Sequence, residues 1–292
     1  MGQTPESTVS AYTFLGLTDR RDGARSPRGG RCTVGEVPEA ADAERALADQ
    51  IRGLIDLTDL ADDHSPDGIA SLCERARKHR TAAVCVWPEF VARCVDSLDG
   101  SGVRVATVVN FPSGAEPVAQ VVDVTERAIA DGADDIDVVL PHVAFSGGDD
   151  AGARELLAAV RAVVPASNVL KVILETGELE SPDLVAAASR LAIGAGADFI
   201  KTSTGKTPVG ATPEAAHLML SAIAEAGRPV GLKPSGGIRT VEEAGLYLDL
   251  AAEVMGPDWA APQTFRFGAS GLLNDVLRVL GEGGDEPSIG SY

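Results

Sequence analysis

A lysine is a nucleophile only when its amine is uncharged, and an ordinary lysine, titrating near about 10.4, is almost wholly ammonium at neutral pH. Burial or a neighbouring cation can change that. Two lysines in this chain stand where both could act. Lys201 closes the short apolar run Phe199-Ile200-Lys201 and is followed at once by Thr202-Ser203-Thr204-Gly205-Lys206. Lys233 closes Val230-Gly231-Leu232-Lys233 and is followed by Pro234-Ser235-Gly236-Gly237. The two lie 32 positions apart. One βα unit of a barrel takes roughly 30 residues, so they are expected to end adjacent parallel strands. Lowering a lysine to about 7 or 8 takes roughly 4 kcal/mol of differential destabilisation, which a partly desolvated like charge can supply. Either lysine alone is more often a solvated loop residue; it is the register of the pair that points to chemistry.

Asp137 and Lys171 extend the series. Asp137, Lys171, Lys201 and Lys233 are separated by 34, 30 and 32 positions, which places them on four consecutive strands. Barrel enzymes assemble their sites at the C-terminal ends of such strands. Strands buried on both faces lose a clean alternation, so the pattern does not by itself aim these side chains inward. A buried Asp137–Lys171 pair is open to a purely structural reading. In the functional one, Asp137, held by Lys171, moves protons through a bound water, help worth roughly 10²- to 10⁴-fold.

The elements that must position these residues follow from punctuation and period. Short apolar runs at Leu54–Thr58, Ala82–Val86, Val103–Asn110, Asp135–Val139, Val169–Glu175, Phe199–Lys201, Val230–Lys233 and Arg266–Gly268 alternate with helical stretches. Eight such alternations imply a (β/α)8 TIM barrel with an N-terminal extension. Ser65-Pro66-Asp67, Ser181-Pro182-Asp183 and Thr212-Pro213-Glu214 each supply an N-cap, a first-turn proline and an acid for the helix dipole. Thr240-Val241-Glu242-Glu243 reads as a capping box. Gly132 and Gly196 stand just before strands, as helix-ending glycines do. A helix is expected from Pro38 to about Gly53, and a last one from Ser270 to Leu280. Residues 1–37, rich in Gly, Arg, Ser and Thr, are expected to be a flexible extension, residues 38–292 the barrel, and residues 281–292 a mobile tail.

Composition narrows the partners. At 292 residues and 45% hydrophobic content the chain suits a single barrel. A formal charge of −18 repels nucleic acid and anionic membrane, so any phosphate ligand must be held by a local cluster of cations and N–H groups. No apolar run reaches membrane-spanning length, and the first thirty residues lack the apolar core of a secretion signal. Cys32, Cys73, Cys85 and Cys94, with His64, His79, His142 and His217, show none of the spacings of a zinc site or a disulfide framework. No metal and no cofactor are expected, and reduced thiols suit the cytoplasm. Self-association into a homo-oligomer is left open.

Barrel phosphate sites are commonly built by the loops after the last two strands. Gly236-Gly237-Ile238-Arg239 and Gly268-Ala269-Ser270-Gly271 both lead into expected helices, whose N–H groups could cradle an anion. Gly205 and Lys206 can add a third wall. The expected set is therefore Gly205, Lys206, Gly236, Gly237, Arg239, Gly268 and Ser270.

The strings Asp198-Phe199-Ile200-Lys201-Thr202-Ser203-Thr204-Gly205-Lys206 and Gly231-Leu232-Lys233-Pro234-Ser235-Gly236-Gly237-Ile238-Arg239-Thr240 closely resemble the deoxyribose-phosphate aldolase family of class I, Schiff-base enzymes. The resemblance runs from about Leu54 to Tyr292. It implies an imine on Lys201, perturbation of that amine by Lys233, and a sugar phosphate and an aldehyde as the small-molecule partners. Asp135-Ile136-Asp137-Val138-Val139 resembles the family's motif at the same place. Asp56, in Leu54-Ile55-Asp56-Leu57-Thr58, matches a family position and would organise the lysines electrostatically; a strand-end aspartate bonded to loop amides is the alternative. Cys85 matches a residue near the family's aldehyde pocket, although a buried core thiol is the simpler reading. Tyr292 matches a C-terminal tyrosine that enters the site as a proton relay. Gly271 departs from the family, where serine is frequent, and removes one hydroxyl contact. Another Schiff-base barrel, such as a keto-acid or transaldolase-like enzyme, and a catalytically silent sugar-phosphate binding protein are the competing readings.

Overall fold

The computed structural model describes residues 37–63 and 65–283. In chain order the elements are α1 (Val37–Arg52), β1 (Ile55–Asp59), α2 (Pro66–His79), β2 (Ala83–Val86), α3 (Val91–Leu98), β3 (Arg104–Val109), α4 (Val118–Ala130), β4 (Asp135–Val139), α5 (His142–Ser146) and α6 (Asp150–Val163). They continue with β5 (Val169–Ile173), α7 (Pro182–Gly194), β6 (Phe199–Lys201), α8 (Pro213–Ala224), β7 (Gly231–Lys233), α9 (Val241–Met255), β8 (Phe267–Ala269) and α10 (Leu272–Leu280). All eight expected strands are present: β4 and β6 keep the expected bounds, β2, β3, β5 and β7 are trimmed by one or two residues, and β1 and β8 each lie one residue later than their apolar runs suggest. The short α5 was not expected.

The local signals act as read. Ser65, Ser181 and Thr212 accept from the backbone N–H groups of Gly68, Leu184 and Ala215 to start α2, α7 and α8. Thr240 and Glu243 form a reciprocal capping box on α9. Gly132 and Gly196 take φ of +97° and +94° where α4 and α7 give way to the next strand, a conformation that disfavours any side chain.

The strands are parallel and ordered β7-β6-β5-β4-β3-β2-β1-β8. Closure comes from isolated bridges, Leu232 with Phe265 and Ser235 with Gly268. Arg266 N–H donates to Leu232 O at 3.0 Å, and Gly268 N–H to Pro234 O at 2.9 Å. The result is the (β/α)8 barrel.

Alternate residues of each strand face two different interiors. Ile136, Val138, Leu170, Val172, Ile200 and Leu232 point outward into the large apolar cluster shared with the surrounding helices. Inside the barrel, Leu60, Cys85, Ala106 and Val108 pack as a small apolar patch flanked by Trp87 and Phe111. The rest of that interior combines the apolar side chains of Ala83, Val139, Ile173 and Phe199 with a set of buried charged groups. Among the described residues no helix is long and apolar enough to cross a membrane. Cys73, Cys85 and Cys94 are buried free thiols; Cys32 and His64 lie outside the described residues. Among the described residues no group of three His, Cys, Asp or Glu side chains is arranged to hold a metal. The expected extension, residues 1–37, also lies outside, apart from Val37, the first residue of α1. Of the expected tail, Gly281 caps α10 in the left-handed conformation, and Glu282 reaches Arg52 of α1 at 3.2 Å. Residues 284–292 lie outside the described residues.

Candidate active site

Strand register decides which side chains meet. Asp137 pairs with Lys171 across β4 and β5, Ile173 with Lys201 across β5 and β6, and Lys201 with Lys233 across β6 and β7. Cross-strand partners share a face, so Asp137, Lys171, Lys201 and Lys233 all enter the barrel interior, and each is completely buried. Asp137 is the hub. Its Oδ1 accepts from Lys171 Nζ at 2.9 Å, and its Oδ2 from Lys201 Nζ at 3.1 Å and Lys233 Nζ at 2.8 Å.

Asp56 joins from the far side of the barrel. Its Oδ2 lies 2.6 Å from Lys233 Nζ as an ion pair without hydrogen-bond alignment, and 3.8 Å from Lys171 Nζ. The alternative of a strand-end aspartate bonded to loop amides is not what the structure contains: Asp56 Oδ1 accepts from Arg266 Nη1 at 2.7 Å. Three charged groups here were not singled out from sequence. Asp135 accepts from Lys171 at 2.6 Å and pairs with Arg104 at 2.6 Å, and Arg266 stands 3.9 Å from Asp135. Asp135 did carry a signal, since it lies two residues before Asp137 and therefore on the same strand face. Arg266 carried none, because its partners come from strands distant in sequence.

The two candidate lysines, alike in burial, are pushed in opposite directions. Burial lowers Lys201, the Lys233 ammonium lowers it further, and its one carboxylate contact does not restore it, so the amine sits below the usual lysine range. Burial would lower Lys233 too, but Asp137 and Asp56 outweigh it and hold the ammonium well above that range. Lys171 is likewise raised by Asp135 and Asp137 against the cost of burial. Burial would raise Asp137, yet Lys171, Lys233 and Lys201 hold its carboxyl well below the ordinary aspartate range. The arrangement thus separates one lysine whose amine gives up its proton more readily from two firmly held ammoniums around a carboxylate. Such a group can attack a carbonyl and pass protons. Cys85, packed in the apolar patch, has its thiol pushed up by burial and behaves as a core residue.

The expected anion loops lie at the C-terminal mouth. Gly205, Gly236 and Gly237 have φ of +82°, +84° and +87°. A Cβ on Gly236 would come within 3.1 Å of Gly210 Cα and 3.4 Å of Gly205 Cα, so the loops after β6 and β7 approach backbone to backbone. The N–H groups of Gly205, Gly236, Gly237 and Ser270 have no acceptor among the described residues. Two details differ from expectation. Gly268 N–H is spent on barrel closure, and its missing side chain makes room for Ser235 Oγ and Lys233 Cε. The start of α9 is not an open cradle: Glu243 accepts from Arg239 N–H at 2.7 Å and Thr240 N–H at 3.1 Å, and Asp275 from Val241 N–H at 2.8 Å. By contrast α10 begins at Gly271 with no side-chain cap. Lys206 Nζ lies 3.2 Å from Asp62, in the loop after β1, and Arg239 is exposed.

Glu175, also missed, is buried with φ +54°. It clamps the loop after β6 by accepting from Thr204 N–H at 3.2 Å, from the Thr204 hydroxyl, and from Thr207 Oγ1 at 3.2 Å. Tyr292 lies outside the described residues.

Residues 54–276 match a protein-family model described as DeoC/LacD family aldolase. A deoxyribose-phosphate aldolase from Agrobacterium fabrum (strain C58 / ATCC 33970) is 54% identical over 243 residues, which are 82% of this chain and 93% of the relative. A crystal structure from Coccidioides immitis, of a protein assigned as a deoxyribose-phosphate aldolase, superposes with a TM-score of 0.72 at 30% identity. That match covers 82% of this chain and 95% of the other. One so assigned from Toxoplasma gondii ME49 has a TM-score of 0.76 at 26% identity, over 82% of this chain and 96% of that one.

Proposed function

The chain belongs to the DeoC/LacD family of aldolases, and we propose that it reversibly cleaves 2-deoxy-D-ribose 5-phosphate to D-glyceraldehyde 3-phosphate and acetaldehyde through an imine on Lys201. The observation that carries this reading is the opposed electrostatics of two equally buried lysines, with Lys201 held below and Lys233 well above the usual range.

The Lys201 lone pair adds to the C1 aldehyde carbon. The carbinolamine loses water, with protons passing through Asp137, and leaves a protonated imine. A base-side proton acceptor, Asp137 through a water, takes the proton of the C3 hydroxyl. The C2–C3 bond breaks, its electron pair moves into the imine, and the C3 carbon leaves as the aldehyde of D-glyceraldehyde 3-phosphate. The resulting enamine is protonated at C2, and hydrolysis returns acetaldehyde and the free amine. Lys233 keeps Lys201 unprotonated, Lys171 fixes Asp137, and Asp56 anchors Lys233. The free N–H groups of Gly205, Gly236, Gly237 and Ser270, with Lys206, Arg239 and the uncapped start of α10, would hold the phosphate. Gly268 serves by letting Ser235 and Lys233 pack closely. Tyr292, by the family resemblance, would relay the proton to the enamine. The reaction would run in the cytoplasm, without metal or cofactor, in the breakdown of deoxyribonucleotides.

Borohydride reduction in the presence of acetaldehyde tests the central step. It should leave a single two-carbon unit on Lys201; an adduct on Lys233 would overturn the roles. Activity should survive dialysis against a strong chelator, and a loss that zinc or magnesium restores would sink the imine mechanism. Deleting Tyr292 should cut solvent deuterium exchange into acetaldehyde by at least about tenfold, toward the usual range for acid–base help, while trapping on Lys201 persists.

A further inference from the structure

Beneath the lysines lies a layer of charge that the reaction steps above do not use. Asp135 and Arg104 are the first residues of β4 and β3, and Arg266 immediately precedes β8, so these groups sit toward the N-terminal end of the barrel. Lys201 and Lys233 are the last residues of their strands. Arg266 is 5% exposed; its guanidinium donates to Asp56 at 2.7 Å and to the carbonyl of Pro262.

We propose that Arg266, seconded by Arg104, is a positioning residue for the nucleophile, supplying the counter-charge that Asp56 and Asp135 would otherwise take from the Lys201 ammonium. This rests on the reading of Lys201 as the imine-forming amine. The charged interior holds three fully buried carboxylates, Asp56, Asp135 and Asp137. Lys171 and Lys233 provide two cations. The third is either Arg266 or a protonated Lys201, and a guanidinium, unlike an ammonium, does not give up its proton at working pH. With Arg266 in place the cluster balances when Lys201 is neutral. Arg104, with its side chain 33% exposed and 2.6 Å from Asp135, adds a weaker, solvent-screened push in the same direction.

Every element packed against this interior contributes to the account. The titratable or charged groups are Asp56 from β1, Cys85 from β2, Arg104 from β3, Asp135 and Asp137 from β4, Lys171 from β5, Lys233 from β7, and Arg266 beside β8. Only Lys171, Lys233 and the two arginines are cations besides Lys201. The competing role for Arg266 is a brace, since its own N–H also helps close the barrel.

The sign follows directly. Without the Arg266 charge, three buried carboxylates face two buried ammoniums and the part-exposed Arg104, protonated Lys201 becomes the third buried cation, and its pKa rises. The acid limb of kcat/KM reports the essential groups of the free enzyme, so it should move to higher pH, by about one unit for the loss of one nearby charge. The experiment is the pH profile of kcat/KM for 2-deoxyribose 5-phosphate cleavage by the full chain and by Arg266→Gln, Arg266→Lys and Arg104→Gln, with borohydride adducts mapped in each. Arg266→Gln should shift the acid limb upward by about one unit, a tenfold loss at a fixed pH on that limb. Arg266→Lys should restore the wild-type limb, and Arg104→Gln should shift it upward by less. A lower rate and melting temperature with the limb in place would make Arg266 a brace and overturn the proposal, as would an Arg266→Lys limb displaced as far as that of Arg266→Gln. If Arg266→Gln fails to fold, Arg104→Gln decides, and an unmoved limb there overturns it. An adduct mapped away from Lys201 in the wild-type protein defeats the reading of the nucleophile and this proposal together; an unmoved limb with the adduct on Lys201 defeats this proposal alone.

Discussion

Leu232 and Lys233 are neighbours in β7 and equally buried, yet they belong to different interiors. Leu232 points outward into the apolar layer between strands and helices, where its neighbours need only match it in shape. Lys233 points inward, where Asp56 and Asp137 must match it in charge. The same holds along β4, with Ile136 and Val138 outside and Asp135 and Asp137 inside. Apolar packing tolerates a gap at a graded cost, whereas a buried ion set fails when one member loses its partner. The outer face therefore holds the fold together, and the inner face sets protonation states.

Substitutions can break or sharpen this contrast. The largest effect should come from Lys201→Met, with a loss of turnover on the order of 10⁴-fold or more, as for other nucleophile deletions. Because Lys201 is the amine without a counter-charge of its own, melting temperature should stay near that of wild type; a collapse in stability would erase the distinction drawn between Lys201 and Lys233. Lys233→Met should do both kinds of damage. Leaving Asp56 and Asp137 short of a cation should cost about 3–5 kcal/mol in denaturant unfolding. With the neighbouring ammonium gone, the Lys201 pKa rises, and borohydride trapping at neutral pH should slow. Leu232→Ala should cost about 2–5 kcal/mol of stability while the acid limb of kcat/KM stays where it is; a moved limb would mean that the outer layer also tunes the amine. The smallest effect belongs to Thr240→Ala at the capping box, at about 1 kcal/mol of stability with an unchanged pH profile.

Much of this was legible along the chain. Strand ends marked by Lys201 and Lys233 could be placed because a βα unit has a nearly fixed length, and helix starts at Ser65, Ser181, Thr212 and Thr240 because capping is a contact within four residues. The same capping box at Thr240 also predicts that the α9 donors are taken, which a reading of Gly236-Gly237-Ile238-Arg239 as an anion cradle passes over. Asp135, Glu175, Arg104 and Arg266 were not picked out, since each sits at a strand boundary where a charged residue is ordinarily solvated.

By itself, then, the sequence determined the order and lengths of the elements, the caps that start them, and the regular spacing that carries Asp137, Lys171, Lys201 and Lys233 to successive strands. All of these depend on interactions local in the chain. Only the tertiary structure decided that the four turn inward, that Asp137 touches all three lysines, and that Arg266 reaches Asp56 over a sequence separation of 210 positions. Those contacts exist only once β8 closes against both β1 and β7, and closure sets a side chain's charge environment by distance through space, which no local pattern encodes.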